Sequence, residues 1–149
     1  MRTAKEILQQ KGTQFNYINQ NADVLNAIGI LKSENISYLI VTDDANKYIG
    51  IFSEHDYAQK VILENRQSAT TKVNEIMTTN LVNASPEDST SKLMLLMNNS
   101  KVRYLPVFDG KTFIGIITIH DLMREAMADY EQGRKELELH QVEFLKANN

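Results

Sequence analysis

Residues 38–56, "YLIVTDDANKYIGIFSEHD", are written a second time at 104–121 as "YLPVFDGKTFIGIITIHD". With one residue fewer in the second turn, nine of eighteen aligned positions are identical. An internal repeat constrains a fold tightly, because each copy must form the same set of elements and bury its apolar face against something. The echo extends upstream: "AKEIL" (4–8) answers "VNEIM" (73–77) as a short helix, and "FNYI" (15–18) answers "LVNA" (81–84) as a short strand.

The remaining elements follow from local signals. "TAKE" at 3–6 has the form of a capping box opening the first helix. "SPED" at 85–88 predicts a helix start, with Ser85 as N-cap, Pro86 at the first helical position and acids behind it. That helix carries Leu93, Met94, Leu96 and Met97 on a broad apolar face. Its counterpart over 22–35 spaces Val24, Leu25, Ile28, Leu31 and Ile36 helically, with Asn19 or Asn21 as cap. "YLIVT" and "YLPVF" read as buried strands, joined by the turns "DDANK" and "DGKT" to "YIGIF" and "FIGIIT". Those strands run into helices over about 54–64 and 119–128.

Each repeat is therefore β-α-β-β-α behind a short helix, an α+β fold with repeat one at 3–65 and repeat two at 70–128. The polar stretch "NRQSATTK" (65–72) is the linker. A half of roughly 60 residues buries little surface alone, which predicts two copies packed with pseudo-twofold symmetry. The tail, 129–149, belongs to neither copy. Its Tyr130, Leu137, Leu139, Val142, Phe144 and Leu145 make no single heptad seam. Two readings stand for it: a helical extension docked on a second subunit, or a frayed end.

Composition limits the function classes. At 42% hydrophobic over 149 residues the chain can build a core. A net charge of -3 argues against general binding to nucleic acid or to an anionic membrane. With no cysteine there is no disulfide, thiolate metal site or cysteine nucleophile. The N-terminus has no signal-peptide stretch, and the longest apolar run, "FIGIITI" (113–119), is far short of the roughly 20 residues a membrane helix needs. The expectation is a soluble, cytoplasmic chain.

The sequence resembles the tandem cystathionine-β-synthase-type (CBS) domain pair, the Bateman module. The likeness rests on "EIL" and "EIM", "YLIV" and "YLPV", and above all "GIFSEHD" (50–56) and "GIITIHD" (115–121), over about 3–128. It implies a non-catalytic regulatory module with two clefts for adenine-containing ligands: AMP, ADP, ATP, NAD or S-adenosylmethionine, with AMP and ATP foremost. It also implies a homodimer, an effector protein as possible partner, and no catalytic cofactor.

The residues suit that role. Gly115 lets a planar base or a neighbouring backbone approach the strand. Thr118 stands where the strand gives way to a helix N-terminus, a place that favours phosphate. Asp121, three residues on, lies near it on the first turn, within reach of ribose hydroxyls. In the family the hydroxyl serves phosphate and the carboxylate serves ribose; Ser53 and Asp56 repeat the pair in the first copy. The same spacing is also that of a capping box, which needs no ligand, and both readings stand. Arg103, just before "YLPV", is either a phosphate contact or a solvated arginine, and Ser37 takes its place in repeat one. Lys101 and Arg124 would add charge around repeat two. Ile36, Val102 and Ala84 are candidate walls for a base, or simply core. His55 and His120 precede the motif aspartates where many family members carry Arg.

Two alternatives remain. One is a ligand-free module for homodimerisation or protein interaction. The other is a metal-dependent phosphohydrolase built on His-Asp doublets, opposed by the presence of only three histidines, one in the tail. No catalytic or metal-binding residue is assigned.

Overall fold

A computed structural model describes residues 1–12 and 14–147. In order, the chain forms α1 (Ala4–Lys11), β1 (Tyr17–Asn19), α2 (Val24–Glu34), β2 (Tyr38–Thr42), β3 (Tyr48–Ser53) and α3 (Glu54–Asp56). A π-helical segment, Tyr57–Ile62, continues α3. Then come α4 (Val73–Ile76), α5 (Thr90–Ser100), β4 (Tyr104–Asp109), β5 (Thr112–Thr118) and α6 (Ile119–Ala147). The mixed α+β content and the two repeats are as the sequence predicts.

The chain divides into two compact units, and their boundaries cross those of the repeats. One unit is Thr13–Leu81; the other joins Met1–Gly12 to Val82–Asn149. The short helix that opens each repeat is thus built into the unit holding the other repeat's strands. In the first unit the sheet order is β1-β2-β3, with β1 parallel to β2 and β2 antiparallel to β3. Its core gathers Val24, Ala27 and Leu31 of α2, Leu39, Val41 and Phe52 of the sheet, Val61, and Val73 and Ile76 of α4. Leu25, expected on that apolar face, is instead 56% exposed.

In the second unit α1 is tied down by backbone bonds, Ala4 N–H to the Asp88 carbonyl at 2.8 Å and Lys5 N–H to Pro86 at 2.9 Å. Ala4, Ile7 and Leu8 are buried. Thr3 caps this helix in a full capping box with Glu6, as "TAKE" predicts.

Three local expectations need correction. "SPED" is a turn, closed by Asp88 N–H on the Ser85 carbonyl at 3.1 Å, and α5 starts later, capped by Ser89 rather than Ser85. Asp23, not Asn19 or Asn21, caps α2; Asn19 Oδ1 accepts from Asn21 N–H in a tight local turn. The third concerns 81–84, which forms no strand. Only Ala84 bridges to the sheet, at Val107. The reason lies in the partner strand. In the first unit Ile40 N–H donates to the Asn16 carbonyl at 2.9 Å, whereas the aligned residue in repeat two is Pro106, which has no N–H to give. Two bonds survive, Ala84 N–H to Pro106 O and Phe108 N–H to Ala84 O.

The second unit's sheet therefore has two strands, β4 and β5, antiparallel. Both hairpins keep the same irregularity, between Val41 and Thr42 and between Val107 and Phe108. The helix expected to end near 128 runs on to Ala147 as one exposed rod, so the described part of the tail is helical. Asn148 and Asn149 lie outside the described residues. Among the described residues no helix is long and apolar enough to cross a membrane.

Candidate functional site

Each repeat turns from its last strand into a helix through the same capping pair. In the first, Ser53 Oγ accepts from Asp56 N–H at 3.3 Å and Asp56 Oδ2 accepts from Ser53 N–H at 3.0 Å. In the second, Thr118 Oγ1 accepts from Asp121 N–H at 3.2 Å and Asp121 Oδ2 accepts from Thr118 N–H at 2.8 Å. Orphan donors at a helix start are satisfied this way, so the capping reading of S-x-x-D and T-x-x-D holds in both copies. All four side chains are buried. A buried carboxylate needs a counter-charge, and each receives a lysine that the sequence reading did not single out.

At the first junction Lys60 Nζ donates to Asp56 Oδ1 at 2.8 Å, to the Ile76 carbonyl at 3.0 Å and to Thr78 Oγ1 at 3.2 Å. The Thr78 hydroxyl is also 2.7 Å from Asp56 Oδ1. Lys60 and Asp56 are four residues apart, so this pair was legible as helical spacing. The approach of Thr78 is made possible by Gly50: a Cβ there would lie 2.7 Å from the Thr78 carbonyl oxygen. At Gly50 it is backbone that comes close to the strand, with bonds in both directions between Ile51 and Thr78.

At the second junction the cation comes from α1. Lys11 Nζ donates to Asp121 Oδ2 at 2.9 Å and to the Ile116 carbonyl at 3.2 Å. Burial pushes the Asp121 carboxyl up, but the bonds from Lys11 and Thr118 outweigh it and hold the group below the usual carboxylate range. Its second oxygen, Oδ1, is engaged by Arg124 alone among the described residues, and the Arg124 side chain is 68% exposed.

Of the other candidates, Arg103 is brought to this junction by its backbone: its carbonyl accepts from Ile119 N–H at 3.0 Å, while its side chain is exposed. Ser37 does the same for Glu54 at 3.1 Å. His120 and His55 both point out of the buried turn and are exposed. Val102 is half-buried behind Lys101, which ends α5 in a left-handed conformation (φ 54°). Ala84 is buried at its bridge to Val107, and Ile36 packs against the first unit's core. No three His, Asp or Glu converge as a metal set among the described residues.

The comparisons with known proteins agree with this architecture. The CBS domain model matches residues 4–62 and again 73–128. The mitochondrial CBS domain-containing protein CBSX3 of Arabidopsis thaliana is 27% identical over 143 residues, covering 91% of this chain and 69% of the relative. The solved structure of a protein with CBS domains from Burkholderia ambifaria superposes with a TM-score of 0.79 at 37% identity, over 86% of this chain and 96% of that one. A hexameric CBS-CP12 protein from bloom-forming cyanobacteria gives a TM-score of 0.69 at 28% identity, over 83% and 70%. With the family model matched twice across the two capped junctions, the chain belongs to the CBS-domain family, as a tandem regulatory module.

Proposed function

We propose that this tandem binds an adenine-containing nucleotide at the Thr118–Asp121 junction and passes the binding event to a separate effector, without catalysis. The observation that carries the reading is the state of Asp121. One oxygen serves the cap and Lys11, while the other faces, among the described residues, only an exposed arginine. The Arg124 guanidinium is largely exposed and Lys11 still neutralises the carboxylate, so a ribose diol can replace Arg124 on Oδ1 and leave the cap intact. Thr118 and the start of the 29-residue helix α6 then present a hydroxyl, helix N–H groups and a partial positive charge to the phosphate. Arg103 stands beside that helix start as a further phosphate contact. Asp56 offers less, because Lys60 and the Thr78 hydroxyl both sit on its outer oxygen.

Homodimerisation is the second part of the reading. Met123, Met127, Tyr130 and Leu137 are exposed along one side of α6, and the cyanobacterial relative is a hexamer. Light scattering at micromolar concentration is expected to return twice the 17.0 kDa chain mass; a monomer would remove this part.

A thermal-shift panel of AMP, ATP, NAD and S-adenosylmethionine tests the ligand. At least one is expected to raise the melting temperature, since a ligand that binds only the native state stabilises it by mass action. Asp121→Ala is expected to weaken that ligand at least tenfold by calorimetry. Flat melts with all four would favour the rival reading, a ligand-free interaction module, which has the completed capping pairs on its side.

A further inference from the structure

Between α1 and the first turns of α6, within one compact unit, lies a recess of about 530 Å³. Its polar lining is Arg2, Gln10, Lys11, Asp121, Arg124 and Glu125, over Ile7 and Ala128. Three cations face two carboxylates, so the lining carries one net positive charge. Both carboxylates already have their partners. Glu125, buried, takes Arg2 Nη1 at 2.9 Å, and Asp121 takes Lys11 and Arg124.

The guanidinium groups are less fully used. Arg2 works through Nη1 alone, toward Glu125 and Gln10, and Arg124 through Nη2 alone. Each therefore keeps one terminal nitrogen and its Nε without a protein partner among the described residues. On Arg2 the unused Nε and Nη2 are the parallel pair that guanidinium offers to two oxygens of one phosphate, while on Arg124 the unused Nε and Nη1 diverge and act as single donors.

We propose that this recess is a binding site for a diphosphate-type anion, held by the Arg2 fork and by single bonds from Arg124 and Lys11. One phosphate cannot fill the Arg2 fork and also meet a second guanidinium as well as two linked phosphates can, and the second charge offsets the carboxylates in the wall. The anion then competes for Lys11 with Asp121 and the Ile116 carbonyl. Drawing the lysine toward the anion leaves Asp121 Oδ2 with the cap alone. The site does not require that a nucleoside bind at Thr118.

Calorimetric titration of the full chain with inorganic pyrophosphate and, separately, inorganic phosphate tests this. Saturable pyrophosphate binding is expected, at least tenfold tighter than phosphate and falling steeply as salt rises. Arg124→Gln, an exposed substitution that leaves the fold intact, is expected to weaken it at least fivefold. Lys11→Met is expected to weaken it further. Arg134→Gln, far along α6 and paired with Glu138, is the control and is expected to change nothing. Absence of saturable binding at millimolar pyrophosphate, or equal affinity in Arg124→Gln, overturns the proposal. Pyrophosphate binding with no response to any adenine nucleotide keeps this site and rejects the nucleotide reading; AMP binding without pyrophosphate binding does the reverse.

Discussion

Asp56 and Asp121 occupy the same place in the two repeats, cap the same turn and are equally buried, yet different parts of the chain neutralise them. Asp56 is served by Lys60, one helical turn on, with the Thr78 hydroxyl added. The position equivalent to Lys60 in repeat two is Glu125, which itself needs Arg2. The cation for Asp121 arrives instead on α1, as Lys11. The duplicated motif thus determines the backbone turn, while the charge over the carboxylate is determined by whatever packs above it. One junction is closed by its own helix and a neighbouring hydroxyl. The other is closed by a lysine from α1 and an exposed arginine, and that exposed arginine is why the ligand is assigned to the second.

The comparison can be broken at several points. Gly50→Ala has the largest expected effect, a loss of about 3 kcal/mol in chemical denaturation, because the new Cβ meets backbone and neither side can yield cheaply. A loss below 0.5 kcal/mol would mean that the close approach of Thr78 does not help seal the first junction.

Next is Lys11→Met, expected to cost about 2 kcal/mol at pH 7 by leaving a buried carboxylate short of its main partner. Its pH signature is more specific. Because the folded Asp121 carboxyl lies below its ordinary value of 3.8, its contribution is present above about pH 4 and fades as pH falls through the folded value. Denaturation midpoints of the wild-type chain should therefore drop as pH falls below about 4, and Lys11→Met should drop less. Parallel pH curves would deny Lys11 its role.

Lys60→Met is expected to cost less, about 1 kcal/mol. Lys60 is 39% exposed, and the Thr78 hydroxyl still satisfies Asp56 Oδ1 when it is gone. A larger loss than that of Lys11→Met would reverse the ranking of the two junctions. The smallest expected effect is that of Arg124→Gln, within about 0.5 kcal/mol in stability, because the guanidinium is largely exposed and Lys11 still pairs with the carboxylate. A loss above 1 kcal/mol would show that Oδ1 is not readily available to a ligand.

The repeat made most of the fold legible. A pattern of strand, turn, strand and capped helix written twice leaves few architectures, and the capping pairs follow from spacing alone. What escaped the reading depended on partners distant in sequence. Lys11 meets Asp121 across 110 residues, and no local pattern announces that. Thr78 reaches Asp56 because Gly50 leaves room for its backbone, a fact about a strand and the separate segment that bridges to it. "SPED" misled because proline after serine suits a turn as well as a helix start, and the real cap, Ser89, lies one turn further on. Pro106 was visible, but its consequence for 81–84 appears only once the strand register shows which N–H is missing. The tail was ambiguous for a different reason: its apolar residues fit no seam, yet helix propensity and the continuous run from α6 carry it to Ala147.

The exchange of opening helices has a consequence for how such a chain can be divided or inherited. Since α1 completes the body of repeat two and α4 completes that of repeat one, cutting the gene at the linker would yield two fragments, each carrying a helix made for the other and lacking its own. A lineage that once doubled this segment cannot easily shed either half, because the surviving copy would keep a misplaced lid and an uncovered floor. The pair, not the single repeat, is therefore the smallest piece of this chain with both bodies complete.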